Sequence, residues 1–270
     1  MGLALLTMKL RNPEERIWGV LIEGSNSAGK SNFVKAFLGA FRSLGIVEEF
    51  TRVTSAFFER QQNVDRKILY LQEAASTPSP IHISMSEGLV RVGLVDRDES
   101  GRLKPTEILV IGTPFLVATT TAWRGNPDLI HRIIRITLDE SPQQTFRIAE
   151  FKAKLEVDHQ YKLAFERFVK GCQKILGKLW EAIPEDIDVI IPFFDIVVEK
   201  LRQELGDNVD VKLRRDITKL SAFIKASAIL SMNKRPKFKT GTPEDGPTMV
   251  VVATPEDLEA VLPLLRTAFK

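Results

Sequence analysis

The stretch LIEGSNSAGKSNFVKAF, residues 21–37, sets Gly, Ser, Asn, Ser, Ala and Gly between an apolar run and a Lys-Ser pair. Residues 18–22 before it, Trp-Gly-Val-Leu-Ile, read as a strand. Beyond Ser31, Phe33, Phe37, Leu38 and Phe41 recur at helical spacing. The turn between them reads G-x-x-x-x-G-K-S from Gly24 to Ser31, the Walker A pattern in its strand–loop–helix setting. Small residues let backbone N–H groups curl around phosphate oxygens, and the helix N-terminus adds positive potential. The expected phosphate contacts are therefore Gly24, Ser25, Asn26, Ser27, Ala28, Gly29, Lys30, Ser31 and Asn32. Lys30 would reach the β- and γ-phosphates and the Ser31 hydroxyl would hold Mg²⁺, so the expected ligands are ATP and Mg²⁺.

Working outward, the 270 residues suffice for one large domain, or one with a smaller companion. The net charge of +3 allows a nucleic-acid partner without demanding one, because local clustering decides. Cys172 is the sole cysteine, which rules out a disulfide framework and a cysteine zinc site and fits a reducing cytoplasm, that of a host if the source is viral. His82, His131 and His159 lack ligand spacing. No apolar run has the length of a membrane span, so no membrane partner is expected. The opening MGLALLTMKLRN has no cleavage site and leads toward the first strand, unlike a signal peptide.

Strand and helix signals then alternate. Residues 46–53, 66–71, 115–119 and 131–138 read as four further strands, which predicts a parallel sheet covered by helices on both faces. Residues 89–95 and 106–111 alternate around a polar tip at 96–105 and predict a long β-hairpin. From residue 143 to 183 the spacing is helical, and again over about 193–205 and 213–232. An apolar run at 249–252 precedes a last helix, for which Thr254 is the expected N-cap and Pro255 the first helical residue. The expected organisation is an ATPase core at 1–144 and a helical domain at 145–270, with a wing-like β element at 236–253.

Hydrolysis asks for more than a phosphate cradle. The third strand ends in Leu69-Tyr-Leu-Gln-Glu73, so Glu73 is the candidate that orients the attacking water and helps hold the metal. Gln72 stands where an Asp is usual. The fourth strand ends in Ala118-Thr-Thr-Thr121, where Thr120 and Thr121 either meet the γ-phosphate or serve simply as β-formers. Arg132 is either an arginine finger for a neighbouring subunit or a surface ion pair. In the hairpin tip Arg97, Arg102 and Lys104 either contact DNA phosphates or belong to a solvated ribbon. Residues 233–239, Asn-Lys-Arg-Pro-Lys-Phe-Lys, offer a second basic segment, read first as a solvated loop.

In this order the segments resemble AAA+ ATPases of the presensor-1 β-hairpin group, which holds the minichromosome maintenance and superfamily 3 replicative helicases. VLIEGSNSAGKSN resembles Walker A, ILYLQEAAS a Walker B variant, VRVGLVDRDESGRLKPTEILVI the presensor hairpin and FLVATTT sensor 1. DLIHRIIRITLD is similar to the finger segment, with Arg132 on the finger, and RRDITKLSAFIKASA to the sensor 2 helix, with Arg215 on that position. Thr in place of a sensor 1 Asn, the missing Walker B Asp and the lack of a helix-2 insert favour a divergent viral or mobile-element relative. The resemblance implies a three-layer α/β/α P-loop domain with an inserted hairpin, followed by a helical, winged-helix-like lid. It further implies a homo-oligomeric ring, usually a hexamer, with ATP between subunits and hairpins gripping single-stranded or forked DNA. A primase or origin-binding part would lie outside this chain. The function so implied is an ATP-driven DNA helicase or translocase of replication. The alternative is an initiator or loader that uses ATP as an assembly switch, to which Gln72 lends weight. A polypeptide remodeller fits less well with a charged hairpin tip.

Overall fold

The structure is a computed structural model and describes residues 1–97, 103–206, 210–241 and 248–268. A five-stranded parallel sheet flanked by helices forms its centre. Its strands are β1 (Gly19–Glu23), β2 (Val47–Phe50), β3 (Ile68–Leu71), β6 (Phe115–Thr120) and β7 (Ile134–Thr137), in the order β2-β3-β6-β1-β7. β3 and β6 are buried throughout and β1 over its first four residues, as a sheet covered on both faces requires. The other two strands form its edges.

Local chemistry starts and stops the helices. α2 (Lys30–Arg42) follows Gly29 in the left-handed region and buries Val34, Leu38 and Phe41 at i, i+4 and i+7. The helical pattern over 143–183 is two helices, α6 (Pro142–Val157) and α7 (His159–Ala182). Asp158 divides them, because its carboxylate accepts the Tyr161 N–H at 2.9 Å and caps the second. His131 and Arg132 do not open a strand; they close α5 (Pro127–Arg132), which Asn126 caps and Pro127 begins. α3 (Ser55–Phe58) and α4 (Ser79–Glu87) complete the helices that precede the hairpin.

The hairpin is present and longer than the alternation suggested: β4 (Leu89–Arg97) and β5 (Leu103–Ile111) pair antiparallel from Leu89↔Ile111 to Arg97↔Leu103. The expected tip at 96–105 is therefore partly strand, and the turn itself, with Arg102, lies outside the described residues. The ribbon forms a two-stranded sheet of its own. Ser84 anchors its base by donating to the Gly112 carbonyl at 2.6 Å.

One element went unforeseen, and the expected β element near the C-terminus gains a strand from outside its range. The N-terminal segment forms α1 (Gly2–Leu6) and inserts Ala4, Leu5, Leu6, Met8 and Leu10 into the main core. That cluster also holds Val20 and Ile22 of β1, Trp180 of α7 and Phe223 and Ile224 of α9 (Lys212–Leu230), and so draws on residues from 4 to 261, while a second cluster gathers Leu21, Leu69 and Leu116 with Phe58 and Ile81. The β element near the C-terminus is a three-stranded sheet: β8 (Asp188–Ile190), β9 (Lys237–Thr240) and β10 (Thr248–Val252), with β10 central. α8 (Phe194–Leu205) follows β8 in sequence.

The cap of α10 (Pro255–Ala268) also differs from expectation. Among the described residues the Thr254 hydroxyl has no partner; instead Asp257 reaches back and accepts the Thr254 N–H at 3.0 Å. Asp257 is fully buried and also accepts from Arg235 Nε at 2.8 Å, Arg235 Nη2 at 2.9 Å and Ser227 Oγ at 2.9 Å. Burial pushes its carboxyl up, but these donors outweigh burial and hold it below the usual carboxylate range. Its stabilising contribution is complete above the unfolded value of about 3.9 and fades as pH falls through the folded value. Asp257→Ala should cost about 1–3 kcal/mol in urea unfolding, because it leaves the Ser227 hydroxyl and the Thr254 amide without their acceptor while Glu256 still pairs with Arg235. It should also flatten the acid limb of stability against pH.

Candidate functional site

Parallel strands put all their C-terminal ends on one edge of the sheet, and there the loop 24–31 and Glu73 meet. Lys30, buried at the start of α2, donates through Nζ to the carbonyls of Gly24 at 2.7 Å and Ser25 at 2.6 Å. Its ammonium is thus folded back onto the loop. Left-handed backbone at Ser27 (φ 71°) and Gly29 (φ 88°) turns the chain between β1 and α2. Asn26 and Asn32 are exposed, while Ala28 and Ser31 are half-buried.

Glu73, two residues beyond β3, has φ 50°, a strained value for a non-glycine residue. β6 clamps it. The Glu73 N–H donates to Thr119 Oγ1 at 3.1 Å and the Ala74 N–H to the Thr119 carbonyl at 2.8 Å. On the other side of β6 the Gly24 N–H donates to the Thr120 carbonyl at 3.3 Å. Two adjacent residues of β6 thereby tie the loop to the strained acid. Thr119 and Thr120 are buried, and Thr120 Oγ1 accepts the Ala122 N–H at 3.2 Å; Thr121 is exposed. Of the three hydroxyls, Thr119 has the structural task, which the TTT run signalled without singling it out. Glu73 is itself exposed and lines a cavity of about 410 Å³ with Gln72 and residues 51–55.

Glu140 was not foreseen. Its carboxylate accepts the Ser25 N–H, and a side chain on Gly24 would meet its oxygen at 2.8 Å. Glycine at 24 keeps that approach open. Nearby Glu23, at the end of β1, is paired with Arg135 at 2.7 Å.

The opposite edge of the sheet gathers cations. Arg132 lies with its guanidinium 4.2 Å from the Trp18 ring and its Nε 3.3 Å from Asp128. Arg215 of α9 joins the same carboxylate at 2.5 Å, and His82 stands 3.7 Å from it. Burial pushes the Asp128 carboxyl up, and Arg132, Arg215 and His82 outweigh it, leaving it below the usual range. Arg132, Arg215 and Lys219 line a cavity of about 590 Å³ with Trp18 and His131. Burial lowers the Lys219 ammonium. Arg215, the candidate nucleotide contact on the sensor 2 position, is therefore placed with Arg132 at the strand starts and not with Lys30.

On the ribbon, Lys104 is exposed on β5 and faces Asp96 in register; Arg97 lies on β4 opposite Leu103. Arg91 is engaged with Glu107 at 3.8 Å. Residues 237–239 form the exposed edge strand β9 and not a loop. Among the described residues no group of three or more His, Cys, Asp or Glu could hold a metal, and no helix is long and apolar enough to cross a membrane.

Thr119→Val keeps the volume and removes the acceptor of the Glu73 N–H. It should cost about 0.5–1.5 kcal/mol, the net contribution of one hydrogen bond whose donor stays within reach of water. Hydrogen exchange should show the Glu73 amide losing protection while β1 amides keep theirs.

No protein-family model matches the chain, and no curated protein matches it. Among solved structures, the A form apo structure of the NrS-1 C-terminal region is similar at a TM-score of 0.33 and 9% identity, over 93% of this chain and 70% of that one. So slight a likeness carries no assignment; the chain is described by its own geometry, a parallel-sheet α/β fold.

Proposed function

We propose that the chain is an ATP-driven motor that acts on DNA in replication, hydrolysing ATP between the subunits of a homo-oligomeric ring. The observation that carries this reading is the tie through β6. Gly24, which opens the loop that leads to Lys30, and Glu73 follow the two strands that flank β6, and their amides are held by the Thr120 carbonyl and the Thr119 hydroxyl. Lys30 would leave the Gly24 and Ser25 carbonyls for phosphate oxygens, and loop N–H groups would complete the cradle. The strained, exposed Glu73 would orient the attacking water. The hard oxygens of Ser31 and Glu73 suit Mg²⁺, which neutralises phosphate charge when bound and takes its remaining ligands from phosphate and water.

Arg132 and Arg215 share Asp128 at the edge remote from Lys30 of the same chain. They would therefore serve the nucleotide of a second copy. The exposed Lys104, with Arg97 of the ribbon and Arg102 of the segment outside the described residues, would grip the DNA backbone in a salt-sensitive way. A second reading, ATP as an assembly switch for an initiator or loader, is favoured by the neutral Gln72 before Glu73.

ATPase turnover with and without single-stranded DNA separates the two: DNA stimulation supports the motor, and tight ATP binding with negligible turnover supports the switch. Lys30→Ala should lose ATP binding with an unchanged melting curve, and unaltered affinity would reject the loop as the site. Glu73→Gln should bind ATP and turn over about 10²–10⁴-fold more slowly, the usual contribution of a positioned base.

Arg132→Ala should keep ATP affinity and lose turnover. Mixing it with Glu73→Gln subunits should restore activity at interfaces that pair an intact Glu73 with an intact Arg132. Failure of rescue in assembled mixtures would place Arg132 outside the reaction.

A further inference from the structure

The loop before α2 has every backbone polar group of its first two residues engaged. The Gly24 N–H donates to the Thr120 carbonyl at 3.3 Å, and the Gly24 and Ser25 carbonyls both accept from Lys30 Nζ. The Ser25 carbonyl takes the Ala28 N–H as well, at 3.3 Å. The remaining donor, the Ser25 N–H, goes to a residue 115 positions away, the carboxylate of Glu140. A donor of the glycine-rich turn thus already holds an anion that the chain itself supplies. Lys30 and Glu140 grip opposite ends of one residue. The carboxylate therefore lies within a Debye length, about 10 Å at 0.1 M salt, of the ammonium that would meet phosphate.

Local structure fixes Glu140 there. It lies on the short bridge from β7 to α6. On one side the Leu138 N–H donates to the Glu23 carbonyl at 3.1 Å. On the other, Asp139 accepts the Ser141 N–H at 2.9 Å, and Ser141 caps α6 by accepting the Gln144 N–H at 3.2 Å. Both Ser25 and Glu140 are exposed, so an incoming anion can contest their bond. Glu23 is neutralised by Arg135, whereas Glu140 forms no ion pair among the described residues. Its charge opposes any triphosphate that approaches Lys30.

We propose that Glu140 is a gate on the loop: its carboxylate occupies a donor of the turn, and a nucleotide is admitted only as Glu140 withdraws. This rests on the nucleotide reading of the loop and adds the residue that restrains binding there. A residue that bound the nucleotide directly, through a ribose hydroxyl or the metal, would act with the opposite sign.

Glu140→Gln keeps the shape and the accepting oxygen and removes only the charge. Calorimetric titration with magnesium ATP at low salt should show it binding about three- to tenfold tighter than the parent, the gain shrinking as salt rises. Glu156→Gln removes the same charge from the other end of α6, about 20 Å along the helix, and should leave ATP affinity unchanged. Glu140→Ala should speed hydrogen exchange of the Ser25 amide without changing the melting curve, a readout that needs no nucleotide. Unchanged or weaker ATP binding by Glu140→Gln, an equal gain in Glu156→Gln, or unaltered Ser25 exchange in Glu140→Ala would overturn the gate. The loop would remain the nucleotide site in each of those cases so long as Lys30→Ala loses binding. Absence of ATP binding in the parent and in both Glu140 variants would instead reject the nucleotide site, and the gate with it.

Discussion

β6 is hydrogen-bonded on both sides, to β1 and to β3, and buried along its length. Each of Phe115, Leu116 and Val117 is within 1% of complete burial, and full burial of such side chains stabilises by about 1.5–3 kcal/mol apiece. A strand so held cannot slip by one residue, because its two faces would trade places. Its exit is therefore a rigid reference point. From that point Thr119 holds the Glu73 and Ala74 amides and Thr120 holds the Gly24 amide. The strained backbone of Glu73 persists because both neighbouring amides have partners, which offsets a conformational cost of about 1–3 kcal/mol.

The same parallel arrangement divides the chemistry between two edges. Strand ends carry a loop of backbone donors, with one carboxylate, Glu140, already on the Ser25 N–H. Strand starts carry guanidinium groups from helices on either side, with Asp128 shared between Arg132 and Arg215. Both guanidiniums line one cavity, together with Lys219 and the carboxylates of Glu14 and Glu87. Arg16, almost fully buried, reinforces this edge by donating to Asp65, Thr113 and the Leu10 carbonyl. An assembly that sets one edge of a subunit against the opposite edge of the next would bring the two chemistries together, and the isolated chain keeps them apart.

The remainder of the chain stabilises this core. α1 reaches α9 through fully apolar contacts, and Lys225 of α9 pairs with Glu15 at 2.7 Å. The Arg235–Asp257 pair does the same for the three-stranded sheet and α10, with every oxygen of the buried carboxylate engaged. Such a pair tolerates burial because its hydrogen bonds replace those lost to water.

Residues 18–37 by themselves determine a strand, a tight glycine-rich turn and a helix, because periodicity and turn chemistry act over a few residues. For the same reason the hairpin at 89–111 and the helices after residue 142 are legible in the sequence. The division at Asp158 was also local, but one polar residue inside a long helical pattern is a weak signal beside its capping bond. Strand order, the clamp by Thr119, the reach of Glu140 to Ser25 and the seat of Arg215 beside Asp128 are not legible. The last three join residues 46 to 115 positions apart. The threonines at 119, 120 and 121 are alike as a sequence, and only pairing of β6 with β1 and β3 turns one hydroxyl toward Glu73 and leaves another in solvent. Tertiary structure decided these because burial of both faces of the sheet, a property of the whole core, selects which strand lies beside which.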